Sequence, residues 1–204
     1  IFAVMTPPDG SSSWKNLFRI LGIVIFVVFV LCSFFFVKPD LEFEPPVSPK
    51  KKVIRDLGFD INTATMIRRL SFWLYYIWAI LLSAAGLALV SQASGIATQA
   101  GVDVSADIIA TVVGLISIFN GIGRVIFGIM YDKCGYRITM LVDIIIFAAT
   151  GGILIAAIQS SSFSLITVGY IVGGLAYGGV TPINSALISD FFGRTHFSMN
   201  FSLI

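Results

Sequence analysis

The sequence predicts an all-α, polytopic membrane protein, and three observations carry that prediction. Of the 204 residues 57% are hydrophobic and 12% charged, with a mean hydropathy of +0.95. A soluble domain is about 45–50% apolar and about 25% charged. The apolar residues gather into runs long enough to cross a hydrocarbon core of ~30 Å as helices. Lysine and arginine concentrate in alternate connections between those runs, the pattern of a chain that crosses a bilayer repeatedly.

Ile1 to Met5 reads as the tail of a preceding helix, stopped by Pro7-Pro8, and Asp9 to Asn16 as a polar turn. Leu17 to Val37 is the first full span, with Lys15 and Arg19 placed to snorkel to the near interface. Lys38 to Arg69 is the long polar segment. Pro39, Pro45, Pro46 and Pro49 prevent regular structure in its first half, and Lys50-Lys51-Lys52 reads as a solvated linker that fixes orientation rather than as a lipid site. Around Asp60 to Leu70 a short surface helix is expected, with Ile67 and Leu70 toward lipid and Arg68 and Arg69 toward headgroups.

Phe72 to Val90 is the second span and opens on Phe72, Trp73, Tyr75, Tyr76 and Trp78, a cluster suited to the interface. Ser91 to Asp107 is a loop without Lys or Arg. Ile108 to Met130 is the third span, Tyr131 to Arg137 a tight basic turn, and Ile138 to Ile158 the fourth span. An uncharged loop, Gln159 to Ser162, leads to the fifth span, Leu165 to Ile188, and Ser189 to His196 is a turn carrying Arg194. The basic linker and the two basic turns are therefore cytoplasmic by the positive-inside rule. Asn200 to Ile204 reads as the start of another apolar segment, and the chain is expected to be a piece of a longer protein.

Arg124 is the residue that composition does not explain. It follows the apolar run from Ile108, at a depth where an ionisable group costs a few kcal/mol or more unless it faces a water-filled cavity or a partner. Three roles fit: binding an anionic substrate, pairing with Asp143 of the fourth span, or forming a charge latch with Asp132. A guanidinium suits a carboxylate because its planar fork donates two parallel hydrogen bonds.

In lipid, helices associate through small residues. Gly169-x-x-x-Gly173 and Gly174-x-x-x-Gly178 give the fifth span such a face, and Gly121, Gly123 and Gly128 do the same for the third. Pro182 leaves the carbonyl of Gly178 without its helical partner, so the helix is expected to kink there, either as part of a gate or site or covered by neighbours. Cys32 and Cys134 are too far apart along the membrane normal for a disulfide, and His196 reads as structural. No HExxH, Cys/His cluster or phosphate-cradling Gly-Lys-Ser/Thr occurs, so an enzyme, a cofactor, a metal site and nucleic-acid binding are not expected.

Gly128-x-x-x-Asp132-Lys133-x-Gly135-Tyr136-Arg137 resembles the loop motif of the major facilitator superfamily, in its copy between helices 8 and 9; Tyr136 stands where a basic residue is common. Trp14-Lys15-x-x-Phe18 resembles the start of helix 6. Phe72-Trp73-Leu74 with Ser83 to Leu89 resembles helix 7 of the oxalate/formate antiporter family, and Asn120-Gly121-x-Gly123-Arg124 its helix 8. Pro182 onward, with Ser189-Asp190-Phe191-Phe192-Gly193 and Asn200-Phe201, is similar to its helix 10 and the start of helix 11.

The resemblance implies twelve helices in two halves that rock about a midplane site. Residues 1–37 would end the N-terminal bundle, 38–70 would form the cytoplasmic linker, and 71–204 would form the C-terminal bundle, working with an N-terminal half of the same transporter. It also implies a multi-pass protein of the bacterial cytoplasmic membrane that carries small organic anions, mono- or dicarboxylates, by exchange or proton symport. Arg124 would hold the anion; Asn120, Tyr75, Trp78, Tyr177 and Asn184 would line the cavity; Gly128, Asp132, Lys133, Gly135 and Arg137 would stabilise one end state at the cytoplasmic face. In oxalate carriers a lysine precedes the Asn-aromatic pair of helix 11, where this chain has Met199. One cation instead of two favours a monocarboxylate or another weak anion. The rival readings are a superfamily member for an unrelated neutral or cationic substrate, with Asp143 carrying protons, and a non-transporting membrane sensor.

Overall fold

The computed structural model describes residues 13–36, 60–99 and 105–204. Pro7-Pro8, the prolines and the lysine run of the linker, and residues 100–104 lie outside the described residues. The chain divides into two units, Ile1–Ile54 and Arg55–Ile204.

In the first unit, α1 spans Ser13–Ser33. From Ile20 onward it is apolar on every side, and its described side chains are exposed, Phe26 at 69% and Phe29 at 73%, as expected of a helix surrounded by lipid. The Ser33 hydroxyl donates to the Val30 carbonyl at 2.7 Å. Phe34 to Phe36 then close i→i+3 turns, so the helix stops short of Val37.

The second unit contains α2 (Thr63–Ile67), α3 (Leu70–Gln99), α4 (Ala106–Gln159), α5 (Phe163–Phe192) and α6 (Phe197–Phe201). Among the described residues, α3, α4 and α5 are long and apolar enough to cross a membrane. Helix α4 is a hairpin of two arms. Gly135, with φ 78° and ψ 172°, interrupts it, a conformation that costs an L-residue about 1–2 kcal/mol and glycine little. The packing registers show the reversal. Gly174 of α5 meets Ile116, Gly178 meets Asn120 and Gly179 meets Phe127, so the first arm runs parallel to α5. Gly169 meets Leu154 and Gly173 meets Thr150, so the second arm runs antiparallel to it. Each arm is long enough to span a ~30 Å core.

The expected turn at Tyr131 to Arg137 is thus narrower in the structure. Tyr131 to Cys134 remain helical, because one further turn carries Tyr131 into the core, and the chain reverses at Gly135. The expected loop Ser91 to Asp107 is corrected more strongly. Helix α3 continues to Gln99 because Ala93 and Ala97 are buried in the upper core. The hydroxyls of Ser91 and Thr98 bond back to carbonyls of their own helix, which spares them an unpaired state.

Helix α5 lies at the centre and α3 packs antiparallel to it, with Phe72 against Phe192, Gly86 against Tyr177 and Leu89 against Gly173. Two apolar clusters fill the bundle. One holds Phe72, Tyr75, Trp78, Leu82, Phe127, Ile183 and Phe192. The other holds Leu89, Val112, Ile116, Leu154, Ile166 and Tyr170, with the Tyr170 hydroxyl donating to the Ala93 carbonyl.

Close backbone approach is concentrated where the small-residue argument placed it, with one correction. A Cβ on Gly123 would collide with the Leu175 carbonyl and one on Gly178 with the Asn120 carbonyl, whereas a Cβ on Gly121 would meet nothing within 4 Å. Gly121 points away from α5 and does not take part in this packing. The fifth span stays helical through Pro182, and Gly128 of the first arm faces the proline ring, which lies 3.9 Å from a Cβ built on that glycine.

Candidate functional site

The expected cavity-lining residues separate into two groups. Tyr75 of α3 and Asn184 of α5 come together inside the bundle, the phenol donating to Asn184 Oδ1 at 2.8 Å. Trp78, one turn further along α3, stacks near Tyr75 with ring centroids 6.2 Å apart. Its indole N–H is buried without a hydrogen-bond partner. Two polar groups and two aromatic rings thus meet just beyond Pro182, inside the apolar cluster that also holds Phe127 and Tyr131. Tyr177 lies one to two turns earlier, its ring against Gly86, and is half-buried.

Arg124 and Asn120 lie on the first arm of α4. Asn120 is half-buried with its carbonyl against Gly178; Arg124 is exposed. The arm shows three faces. Val112, Ile116, Gly123, Phe127 and Tyr131 are buried toward the bundle. Ile118, Ile122, Val125 and Ile129 are exposed and aliphatic. Between these faces runs an exposed or half-exposed stripe of small and polar residues at helical spacing, namely Gly114, Ser117, Gly121, Arg124 and Gly128. Arg124 backs onto Gly178, whose built Cβ would lie 3.0 Å from the Arg124 backbone nitrogen. That places it near the middle of α5 and hence near mid-depth.

Two of the three roles considered for Arg124 are not realised in this structure. Asp143 is fully buried and neither of its oxygens has a partner, whereas Arg124 is exposed, so the pair does not form. Asp132 lies two turns further along the same arm, about 12 Å at 1.5 Å per residue. Among the described residues Arg124 makes no ion pair with it.

At the end of the bundle expected to be cytoplasmic, Asp132, Lys133 and Arg137 are exposed around Gly135. Arg137 Nε–H donates to the Tyr136 hydroxyl at 2.9 Å and the guanidinium sits over that ring. The ring meets Phe191 edge-on with centroids 4.9 Å apart. Tyr136, where a basic residue is common, therefore links the motif to the end of α5. The Tyr131 hydroxyl donates to Asp190 Oδ2 at 3.1 Å, a second such link.

A further set of contacts had no local signal in the sequence because its members lie far apart along the chain. Asp60 accepts hydrogen bonds from the hydroxyl and the backbone N–H of Thr195, which hold its carboxyl below the usual carboxylate range. Ile61 N–H donates to the Phe192 carbonyl at 3.1 Å. Asn200 Nδ2–H donates to the Ile61 carbonyl at 3.0 Å, and the Thr63 hydroxyl donates to Asn200 Oδ1 at 2.8 Å. The segment before α3 is thereby stitched to the turn after α5. Met199, at the position of the expected lysine, is exposed at 64%. A groove of about 430 Å³ lies beside this turn, lined by Ser185, Ala186, Ser189, Arg194 and Phe197, none of them among the expected cavity residues. Among the described residues no group of His, Cys, Asp and Glu is arranged to hold a metal ion.

These features can be set beside known proteins. The chain is 26% identical over 164 residues to YhjX of Escherichia coli (strain K12), described as an uncharacterized MFS-type transporter; the match covers 77% of this chain and 39% of that protein. The chain thus spans well under half the length of this relative. No solved structure matches it. The family model described as Major Facilitator Superfamily matches residues 9–204, nearly the whole length. With a hairpin of two spanning arms turning at the motif glycine, a central helix of small residues and a third apolar helix packed on both, the chain belongs to the major facilitator superfamily.

Proposed function

We propose that this chain is the central and C-terminal part of a secondary transporter for small organic anions, working by alternating access with Arg124 as the anion-binding group. The observation that carries this reading is the placement of Arg124. It is a cation near mid-depth, without an ion pair among the described residues, on a small and polar stripe distinct from both the packed and the aliphatic faces of its arm. An ionisable group at such depth is tolerated when it faces a water-filled cavity, and a stripe free of large apolar side chains is what a cavity wall needs. The resemblance to the oxalate/formate antiporter family supports the anion class. Met199 in place of a second cation favours a monocarboxylate. Tyr75, Trp78 and Asn184 form the aromatic and polar wall of the site on one side of the arginine's level, with Asn120 and Tyr177 at or beyond that level on the other side.

The test is solute exchange in liposomes with the purified full-length protein, comparing wild type with Arg124→Gln over formate, lactate, pyruvate, oxalate, malonate and one neutral sugar. Carboxylate exchange that Arg124→Gln abolishes, while the variant stays folded and inserted, supports the reading. Unchanged exchange in Arg124→Gln, or transport of the sugar alone, overturns it.

A further inference from the structure

Asp143 lies about two turns past Gly135 in the second arm of α4. Its residue is fully buried and neither carboxylate oxygen has a hydrogen-bond partner. Its surroundings follow from the registers. Thr150, two turns later on the same stripe, meets Gly173 of α5, and Gly173 also meets Leu89 of α3. Moving back two turns from Thr150 places Asp143 at the level of Leu82 on α3 and Val180 on α5, within about one helical turn, ~6 Å, of the level of Trp78. Met140, Ile146 and Phe147 of the same arm pack against the cluster that contains Trp78, Leu82, Val180 and Ile183. The carboxyl therefore looks into the apolar junction of three helices, in the part of the bundle that also holds the unpartnered indole N–H.

Among the described residues no charge compensates it there. The buried titratable side chains on the facing elements are Tyr75 of α3, Tyr131 of the first arm and Tyr170 of α5, which donate to Asn184, Asp190 and the Ala93 carbonyl. The charged side chains of these helices, Asp107, Arg124, Asp132, Lys133, Arg137 and Asp190, are all exposed. An ionised carboxylate with no partner in such a medium is far costlier than the neutral acid, and buried groups of this kind take up a proton instead.

We propose that Asp143 is a proton-binding site of this protein, loaded when the three helices close over it and unloaded when their rearrangement admits water. The inference rests on the transport reading above and adds the coupling ion to it: the proton bound at Asp143 travels with the anion held at Arg124. The two groups sit on different arms of one hairpin without forming a pair, so each can bind its own ligand. The proton is released to water as the carboxylate forms, and the charge balances because one proton and one monocarboxylate move together.

Two readouts test this on the full-length protein. The first needs no substrate. Infrared difference spectra over a pH titration are expected to show a protonated-carboxyl C=O band in wild type that vanishes in Asp143→Asn and returns, shifted, in Asp143→Glu. Asparagine resembles the neutral acid in size and polarity, so Asp143→Asn should fold. The second readout is uptake of a carboxylate into liposomes. An acid-outside gradient is expected to drive accumulation in wild type, to lose that effect in Asp143→Asn and to regain it in Asp143→Glu. A carboxyl band unchanged in Asp143→Asn overturns the proposal. So does gradient-driven accumulation that survives the substitution, or accumulation that follows sodium instead of protons. If no carboxylate moves in wild type, the anion reading fails, and the infrared titration still decides whether Asp143 holds a proton.

Discussion

Tyr75 carries a phenol into an apolar bundle and gives it one partner, Asn184. Neither residue is long enough to reach water from its buried position, so each depends on the other. Hydrogen bonds inside membrane proteins average about 0.6 kcal/mol, because the separated groups also find partners in the membrane, whereas stranding a buried group costs about 1–3 kcal/mol. Tyr75→Phe strands only the Asn184 oxygen, whose amide can turn, so a loss of about 1 kcal/mol is expected. Thermal unfolding in detergent checks this, and Tyr75→Phe combined with Asn184→Leu should cost less than the two changes added. Arg124 and Asp143 show the same logic from opposite sides. The arginine lies on a face open to water or a partner, and the aspartate is sealed inside the bundle without a hydrogen-bond partner.

Among the elements, α5 explains why the bundle is tight. Lipid tails are as apolar as leucine, so burying apolar area adds little drive between helices, and close van der Waals contact takes over. Gly178 and Gly123 supply it by admitting backbone carbonyls of the neighbouring helix. Gly123→Ala places a methyl group against the Leu175 carbonyl and is expected to destabilise by about 1–3 kcal/mol, the usual cost of overpacking. Gly121→Ala, in open space two residues earlier on the same arm, gains helix propensity of about 1 kcal/mol and should be neutral or stabilising. Melting temperatures of the two variants side by side decide whether close approach or glycine content matters. Pro182 leaves α5 helical because the helix is held on several sides, with Gly128 opposite the ring.

At the scale of the molecule, the positive-inside argument sets a direction for the whole bundle. Cys134 is free and exposed beside Gly135, within the basic turn, and so reports on that direction. In a Cys32→Ser background, a membrane-impermeant maleimide should label Cys134 in inverted vesicles and leave it unlabelled in intact cells. Labelling from outside would reverse the topology and place the stitched Asp60–Asn200 end on the external face. The bundle's surface is consistent with lipid around it: Leu74, Leu81, Leu87, Ile145 and Ile155 are each exposed by more than half, a pattern water would not tolerate over so large an area.

Composition, run length and the spacing of Gly128, Asp132, Lys133, Gly135 and Arg137 by themselves determined the membrane class, the superfamily and the hairpin at the basic turn. They could do so because bilayer thickness imposes run lengths directly on the chain and a left-handed turn needs glycine at one position. The anion reading of Arg124 also began in the sequence, since a cation inside an apolar run is visible without coordinates. Other features were decided by tertiary structure alone. Helix α3 extends through Ser91 to Gln99 because Ala93 and Ala97 find a neighbour to bury against. Gly123 packs where Gly121 does not because the two point to different sides of one arm. Asp60, Ile61 and Thr63 meet Thr195, Phe192 and Asn200 across more than a hundred residues. Asp143 stands apart from Arg124 because which sides of two arms face each other depends on how both pack against α5. A sequence records which groups are polar and how far apart they lie along the chain; which of them share a junction is fixed by packing against a third element.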